Sequence, residues 1–190
     1  MKMYAVAGSG VAILVIVFAI AILANRHSDR LSEDSKRERS QNAAMLSIAE
    51  RLVRVEVTPS FNFSFEFMEL GVLQHLDRQY TYDVIPQQLL GGLLFQGIHR
   101  PPAGTSIEFE LLSPATVYFF FHDKVDGGYS SIFEDLPRWR RCDAFPQYDI
   151  HNGDHGLKMV MYQLEAGAGL YSIPPASEDG ACFNIVFQKQ

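Results

Sequence analysis

Apolar residues follow four different rhythms along this chain. From Tyr4 to Ala24 they are continuous and no charge interrupts them. At about 1.5 Å of rise per residue such a helix is roughly 30 Å long, the thickness of a bilayer's hydrocarbon core. A helix in lipid satisfies its own backbone hydrogen bonds, so residues 1–24 read as a single-pass signal-anchor whose spanning part is 4–24. The rival is a cleaved secretory signal, with Lys2 as its charged head and Ala24 near the cut. Its apolar part should run only about 7 to 15 residues.

Residues 25–42 have almost no apolar positions. Five basic and four acidic side chains alternate there, as in a solvated linker or a helical extension supported by neighbours one turn apart. Over 43–54 the spacing becomes helical: Ala44, Ile48 and Leu52 share a stripe with Met45 and Ala49, with Glu50, Arg51 and Arg54 off it. Residues 25–54 are thus expected to be a polar linker and a short amphipathic helix.

Beyond residue 55 the period drops to two. Phe61–Phe67 alternates aromatic and polar residues, as a half-buried strand requires. Further strands are expected at Tyr80–Val84, Leu93–Gln96, Ile107–Leu112, Thr116–His122, Leu157–Leu164, Leu170–Ile173 and Cys182–Gln188. Ser113-Pro114-Ala115 is short enough for a hairpin, and Asn152-Gly153 and Asp179-Gly180 are turn signals. The fold class is therefore all-β: an antiparallel β-sandwich or jelly roll over 55–190, preceded by one transmembrane helix and the amphipathic helix.

Charge narrows the partners. Residues 43–190 carry 10 Lys and Arg against 18 Asp and Glu, which disfavours nucleic acid, whose backbone rewards basic stripes. The two cysteines, Cys142 and Cys182, are either a disulfide, if the domain faces an oxidising compartment, or two buried thiols. No CxxC or closely spaced Cys–His grouping occurs, so neither a zinc site nor a cofactor is expected.

Several groupings invite a chemical reading. His151-Asn152-Gly153-Asp154-His155 gathers two imidazoles and a carboxylate, but these are also the residues of a tight turn. His122, Asp123 and Asp126 precede Gly127-Gly128 and read the same way. Glu108 and Glu110 lie on one face of one strand, whereas glycosidases place two carboxylates on opposite sides of a bond. No Gly-x-Ser-x-Gly elbow or phosphate loop is present, and the chain is not expected to be an enzyme. Leu136-Pro137-Arg138-Trp139-Arg140-Arg141-Cys142 is the most suggestive run. An aromatic face among arginines suits a sugar or an anion, so Trp139, Arg138, Arg140, Arg141 and Tyr129 are the candidate ligand-binding residues.

Orientation is contested. The basic flank at Arg26, Arg30, Lys36, Arg37 and Arg39 favours a cytoplasmic domain. Asn62-Phe63-Ser64 matches a glycosylation sequon, with Asn62 as acceptor, and would require the extracytoplasmic side. That second placement is the working expectation.

Asp77-Arg78-Gln79-Tyr80-Thr81-Tyr82 and the run on to Leu89-Leu90-Gly91, followed by Pro114–Phe119, Gly127-Gly128-Tyr129, Leu136-Pro137 with Trp139, Leu157–Tyr162 and Ala166–Gly169 before Tyr171–Pro174, resemble a loosely defined β-sandwich module of secreted and surface proteins. In bacteria this module often accompanies carbohydrate-active enzymes. The resemblance covers about 77–188 and implies a non-catalytic accessory or adhesive sandwich. Pilin-like subunits also join an apolar helix to a β domain, but the acidic residue expected in the early apolar run is missing. The expected role is a membrane-anchored structural or interaction module. It would contact lipid through 4–24 and protein subunits or its own copies through the sandwich. An extracytoplasmic glycan- or anion-binding module is the alternative.

Overall fold

The computed structural model describes residues 30, 33, 35–37, 40–41, 43–102, 104–123, 126–142, 159–178 and 180–190. The expected membrane segment and the His151–His155 run lie outside them. No helix among the described residues is long and apolar enough to cross a membrane. The chain divides at Ala44 and Met45 into two units. All described residues of the first, between Arg30 and Ala44, are helical.

In the second unit, helical residues 45–52 (α1) bury Met45, Ala49 and Leu52 of the apolar stripe read from the sequence, while Ile48 is half-buried and Ala44, before them, is exposed. The helix stops at Leu52, and β1 (Val53–Thr58) begins at once. This stretch was expected to be helical through residue 54. Val53, Val55 and Val57 are β-branched residues at alternate positions, and their strand preference ends the helix early.

The remaining strands are β2 (Ser64–Phe67), β3 (Leu93–Gln96), β4 (Ser106–Leu111), β5 (Ala115–His122), β6 (Arg140–Arg141), β7 (Met159–Ala166), β8 (Gly169–Ile173) and β9 (Phe183–Lys189). They form two antiparallel sheets, of order β1-β4-β8 and β2-β3-β9-β5-β7-β6. Ser113-Pro114-Ala115 does not make a hairpin. It carries the chain from β4 in the small sheet to β5 in the large one, because the apolar faces of both strands must turn toward one core. Tyr80–Val84 is not a strand either; only Thr81 pairs, in a bridge to Leu73.

The core between the sheets is aromatic. Phe119 stacks on Phe133 and Phe183 at 4.8 and 5.1 Å. Phe133 stacks on Tyr162 at 4.8 Å and takes the edge of Trp139 at 4.9 Å. Phe133 comes from a short helix, α2 (Tyr129–Glu134). The helix is entered through Gly127 and Gly128, both at positive φ, and Asp126 accepts the N–H groups of Gly128 and Ser130 at 2.9 and 3.3 Å. Burial pushes the Asp126 carboxyl up, but these hydrogen bonds outweigh it and hold it below its usual range. The turn reading of this segment is therefore the structural one.

The large sheet is covered on its other face as well. Between β2 and β3, residues 68–92 fold back as an excursion that lays Met68, Tyr82 and Leu89 over Leu94, Phe120 and Val186.

Candidate functional site

Three places on the second unit concentrate chemistry. The first is the region named by the sequence. Trp139 is half-buried on Phe133, while Arg138, Arg140 and Arg141 are exposed. The Arg138 guanidinium lies 5.2 Å over the ring of Tyr171, and Arg140 pairs with Glu165 at 3.0 Å. Tyr129 does not join them. It is 1% exposed, packed by Phe119 and Phe183, and burial raises its hydroxyl well above the usual range. The aromatic partner at this surface is Tyr171, which two-residue periodicity alone could not bring to Arg138 from another sheet. Asn62 is exposed beside β2, and the sequon hydroxyl of Ser64 donates to Gln96 Oε1 at 3.1 Å.

Glu108 and Glu110 lie on the outer face of the small sheet. Glu108 stands opposite Glu56 in register, and Glu110 pairs with Arg54 at 2.9 Å. The two carboxylates do not face each other across a cleft.

The second place is a groove of about 370 Å³ between α1 and the large sheet. Ile48, Leu52, Phe67, Leu93 and Phe187 line it, with Arg51 and Lys189 exposed at its mouth.

The third place was not anticipated. Cys142 and Cys182 are not joined by a disulfide, so that alternative is not the arrangement found. Cys142 pairs its N–H with Met161 at the β7 edge, whereas β5 separates β7 from β9, which Cys182 precedes. Cys182 is instead buried against His75, with Sγ 3.3 Å from Nε2, and His99 completes a cluster whose ligand atoms all lie within 4.8 Å of one another.

The strand register explains this meeting. On β3, β9 and β5 the odd positions Phe95, Ile185 and Phe119 face the sandwich core. Even positions therefore face the excursion. Gln96, Asn184 and Phe120 form one cross-strand row there, and Cys182 and His122 begin the next. His75 is delivered by the excursion. Its neighbours are tied down: Gln74 N–H donates to Tyr80 O at 2.8 Å, Gln74 Nε2 to Thr81 O at 2.9 Å, and Leu76 N–H to Gly97 O at 3.0 Å. Asn184 Nδ2 donates to Gln74 O at 2.7 Å. His99 follows β3, and its N–H donates to Asp77 Oδ1 at 2.8 Å.

Burial dominates the electrostatics. It pushes the His75 imidazole down to about 3, helped by the nearby His99, and the Cys182 thiol up to about 12. His122 is lowered to about 4 by the same cause. A nucleophilic Cys–His pair needs the opposite shifts, a stabilised thiolate beside a proton-bearing imidazole. His75 and Cys182 stay neutral, and the pair is not arranged as a nucleophile.

No family model matches the chain, and no curated protein matches it. Among solved structures, a beta-glucuronidase from glycoside hydrolase family 2 is similar at 15% identity with a TM-score of 0.55, over 73% of this chain and 15% of that chain. A GH138 enzyme targeting pectin rhamnogalacturonan II matches at 15% identity and a TM-score of 0.46, over 73% of this chain and 16% of that one. At this identity the first likeness shows the fold alone: two antiparallel sheets arranged as in a domain-sized section of a glycoside hydrolase.

Proposed function

We propose that this chain is a membrane-anchored, non-catalytic interaction module whose sandwich receives an apolar segment of a partner subunit in the groove beside α1. The groove carries the reading. Apolar side chains line it beside Ser113 and Gln188, and its mouth bears Arg51 and Lys189 in a domain where acidic side chains outnumber basic ones 18 to 10. That reversal of sign suits a segment flanked by Asp or Glu. The structural likeness to about one-seventh of a hydrolase chain is compatible with an accessory role. The outer-face setting of Glu108 and Glu110 offers no paired carboxylates across a bond.

A photo-crosslinker at Arg51, in native membranes, is expected to give one discrete adduct, with the partner peptide identified by mass spectrometry. The same group at Glu56, on the outer face of the small sheet, is expected to give none. A chain that stays a lone monomer in detergent and crosslinks from neither position removes the proposal.

One observation favours a second reading, a glycan- or anion-binding surface. Arg138 lies over Tyr171 beside Trp139, offering an aromatic plane and a guanidinium fork together. Arg138→Gln should abolish binding on a glycan array without moving the unfolding midpoint. Failure of the wild-type chain to bind any glycan would discard this reading.

A further inference from the structure

We propose that His75, His99 and Cys182 bind a first-row transition-metal ion of the zinc class, at the end of the large sheet under the 68–92 excursion. This site is independent of the groove.

Donor chemistry comes first. Two imidazoles and one thiolate are the ligand types that borderline-soft divalent ions select, and three protein ligands with one open position form a recurring zinc arrangement. Geometry follows. Metal–sulfur bonds of about 2.3 Å and metal–nitrogen bonds of about 2.0 Å in a tetrahedron separate sulfur from nitrogen by about 3.5 Å, and two nitrogens by about 3.3 Å. Cys182 Sγ and His75 Nε2 already stand 3.3 Å apart, and the whole set lies within 4.8 Å. An inward shift of about 1 Å by His99 would close it, and His99 sits in a partly exposed turn after β3.

The setting adds an independent argument. His75 is 0% exposed, yet its Nδ1 has no hydrogen-bond partner, and His99 Nδ1 is likewise buried without one. His99 Nδ1 therefore has no protein group competing for it, while His75 would ligate through Nε2, the nitrogen that faces Cys182 Sγ. The surroundings fix the backbone that carries the rings. Gln74 and Leu76, on either side of His75, are each fixed by backbone hydrogen bonds, and Asp77 fixes His99. Arg78 and Arg100 lie close enough to oppose positive charge at His99, but Arg78 is bound by Asp77 at 3.0 Å. A thiolate at Cys182 would offset part of the ion's charge.

The test uses the full chain in detergent after exhaustive chelation, with Co²⁺ alone as the first probe. One equivalent is expected to produce the intense visible absorption of a four-coordinate ion and a near-ultraviolet thiolate-to-cobalt charge-transfer band, both displaced by Zn²⁺. Cys182→Ser should abolish the charge-transfer band, and Cys142→Ser should leave it intact. Loss of an outer-shell partner typically weakens metal binding about 10- to 100-fold, so loss of a ligand in His99→Ala should weaken Zn²⁺ binding at least about tenfold while the band survives. His99 is partly exposed, so its variant tests the site should Cys182→Ser fail to fold. Absence of stoichiometric uptake by the wild-type chain, a cobalt spectrum without the charge-transfer band, or a band that persists in folded Cys182→Ser overturns the proposal.

Discussion

Asn184 offers a direct test of how the excursion is fastened to the large sheet. It is 1% exposed, on a face of β9 whose next even position is the fully buried Val186, and its Nδ2 donates to Gln74 O at 2.7 Å. Asn184→Ala removes one buried hydrogen bond, worth about 1 kcal/mol net. It also leaves the Gln74 carbonyl without that donor, a desolvation penalty of about 1–3 kcal/mol. The small void left by the amide adds somewhat more, at about 24 cal/mol per Å³. The expected loss is about 2–4 kcal/mol, or roughly 5–15 °C in Tm for a unit of this size.

Urea unfolding followed by circular dichroism measures it. Asn184→Asp gives the sharper comparison: its shape is the same, but an acceptor then faces the Gln74 carbonyl and a charge is buried. Its cost should equal or exceed that of the alanine variant. A loss below about 0.5 kcal/mol for Asn184→Ala, or an aspartate variant as stable as wild type, refutes the argument that this bond holds His75 in place.

Three further outcomes follow from the same reasoning. Gly128→Ala should cost at least about 2 kcal/mol, because a left-handed L-residue loses about 1–2 kcal/mol and the new Cβ would run into Ser177 Oγ; Ser177→Gly in the same chain should recover part of the loss, and no recovery in urea midpoints contradicts the clash. In chelator, stability should be full above about pH 6.5 and fall as pH drops toward about 4 and then about 3, since unfolded histidines take up protons that buried His122 and His75 refuse; the limiting slope is about 1.4 kcal/mol per pH unit for His75, and a flat profile between pH 7 and 5 is inconsistent with it. Glu108→Lys should stabilise the small sheet by about 0.2–1 kcal/mol by replacing a like-charge pair with Glu56, with the gain shrinking in high salt; an unchanged midpoint at low salt removes that claim.

The sandwich was legible because period-two segments state which face is buried. Ser106–Leu111 reads Ser-Ile-Glu-Phe-Glu-Leu, and Ile107, Phe109 and Leu111 are the residues the structure buries. The connection after β4 was not legible, since Pro114 is equally at home in a hairpin and in a step between sheets. β1 was hidden by the helix before it, whose spacing runs on without a stop signal. Trp139 and its arginines were visible as a motif, but Tyr171 was not, because Arg138 reaches it only through tertiary packing. His75, His99 and Cys182 belong to no short motif at all. Metal-site patterns in sequences depend on ligands close together in the chain, and here a sheet and an excursion bring distant residues to one place.

A trace of that place was nonetheless present in two strands that fail to alternate. Ala115–His122 and Phe183–Lys189 are buried at nearly every position, which a sheet with one wet face cannot be. The runs Val117–Phe121 and, apart from Asn184, Phe183–Phe187 are apolar on both faces and imply a second covering layer, and the segment available to supply it is the irregular 68–92. Once both faces are dry, a polar residue at an even position must have a partner in that layer. Asn184 finds the Gln74 carbonyl and Cys182 finds His75. The buried polar residues on this face are therefore not exceptions to the apolar pattern. They mark where the excursion is pinned, and the pinning sets two histidines beside a thiol.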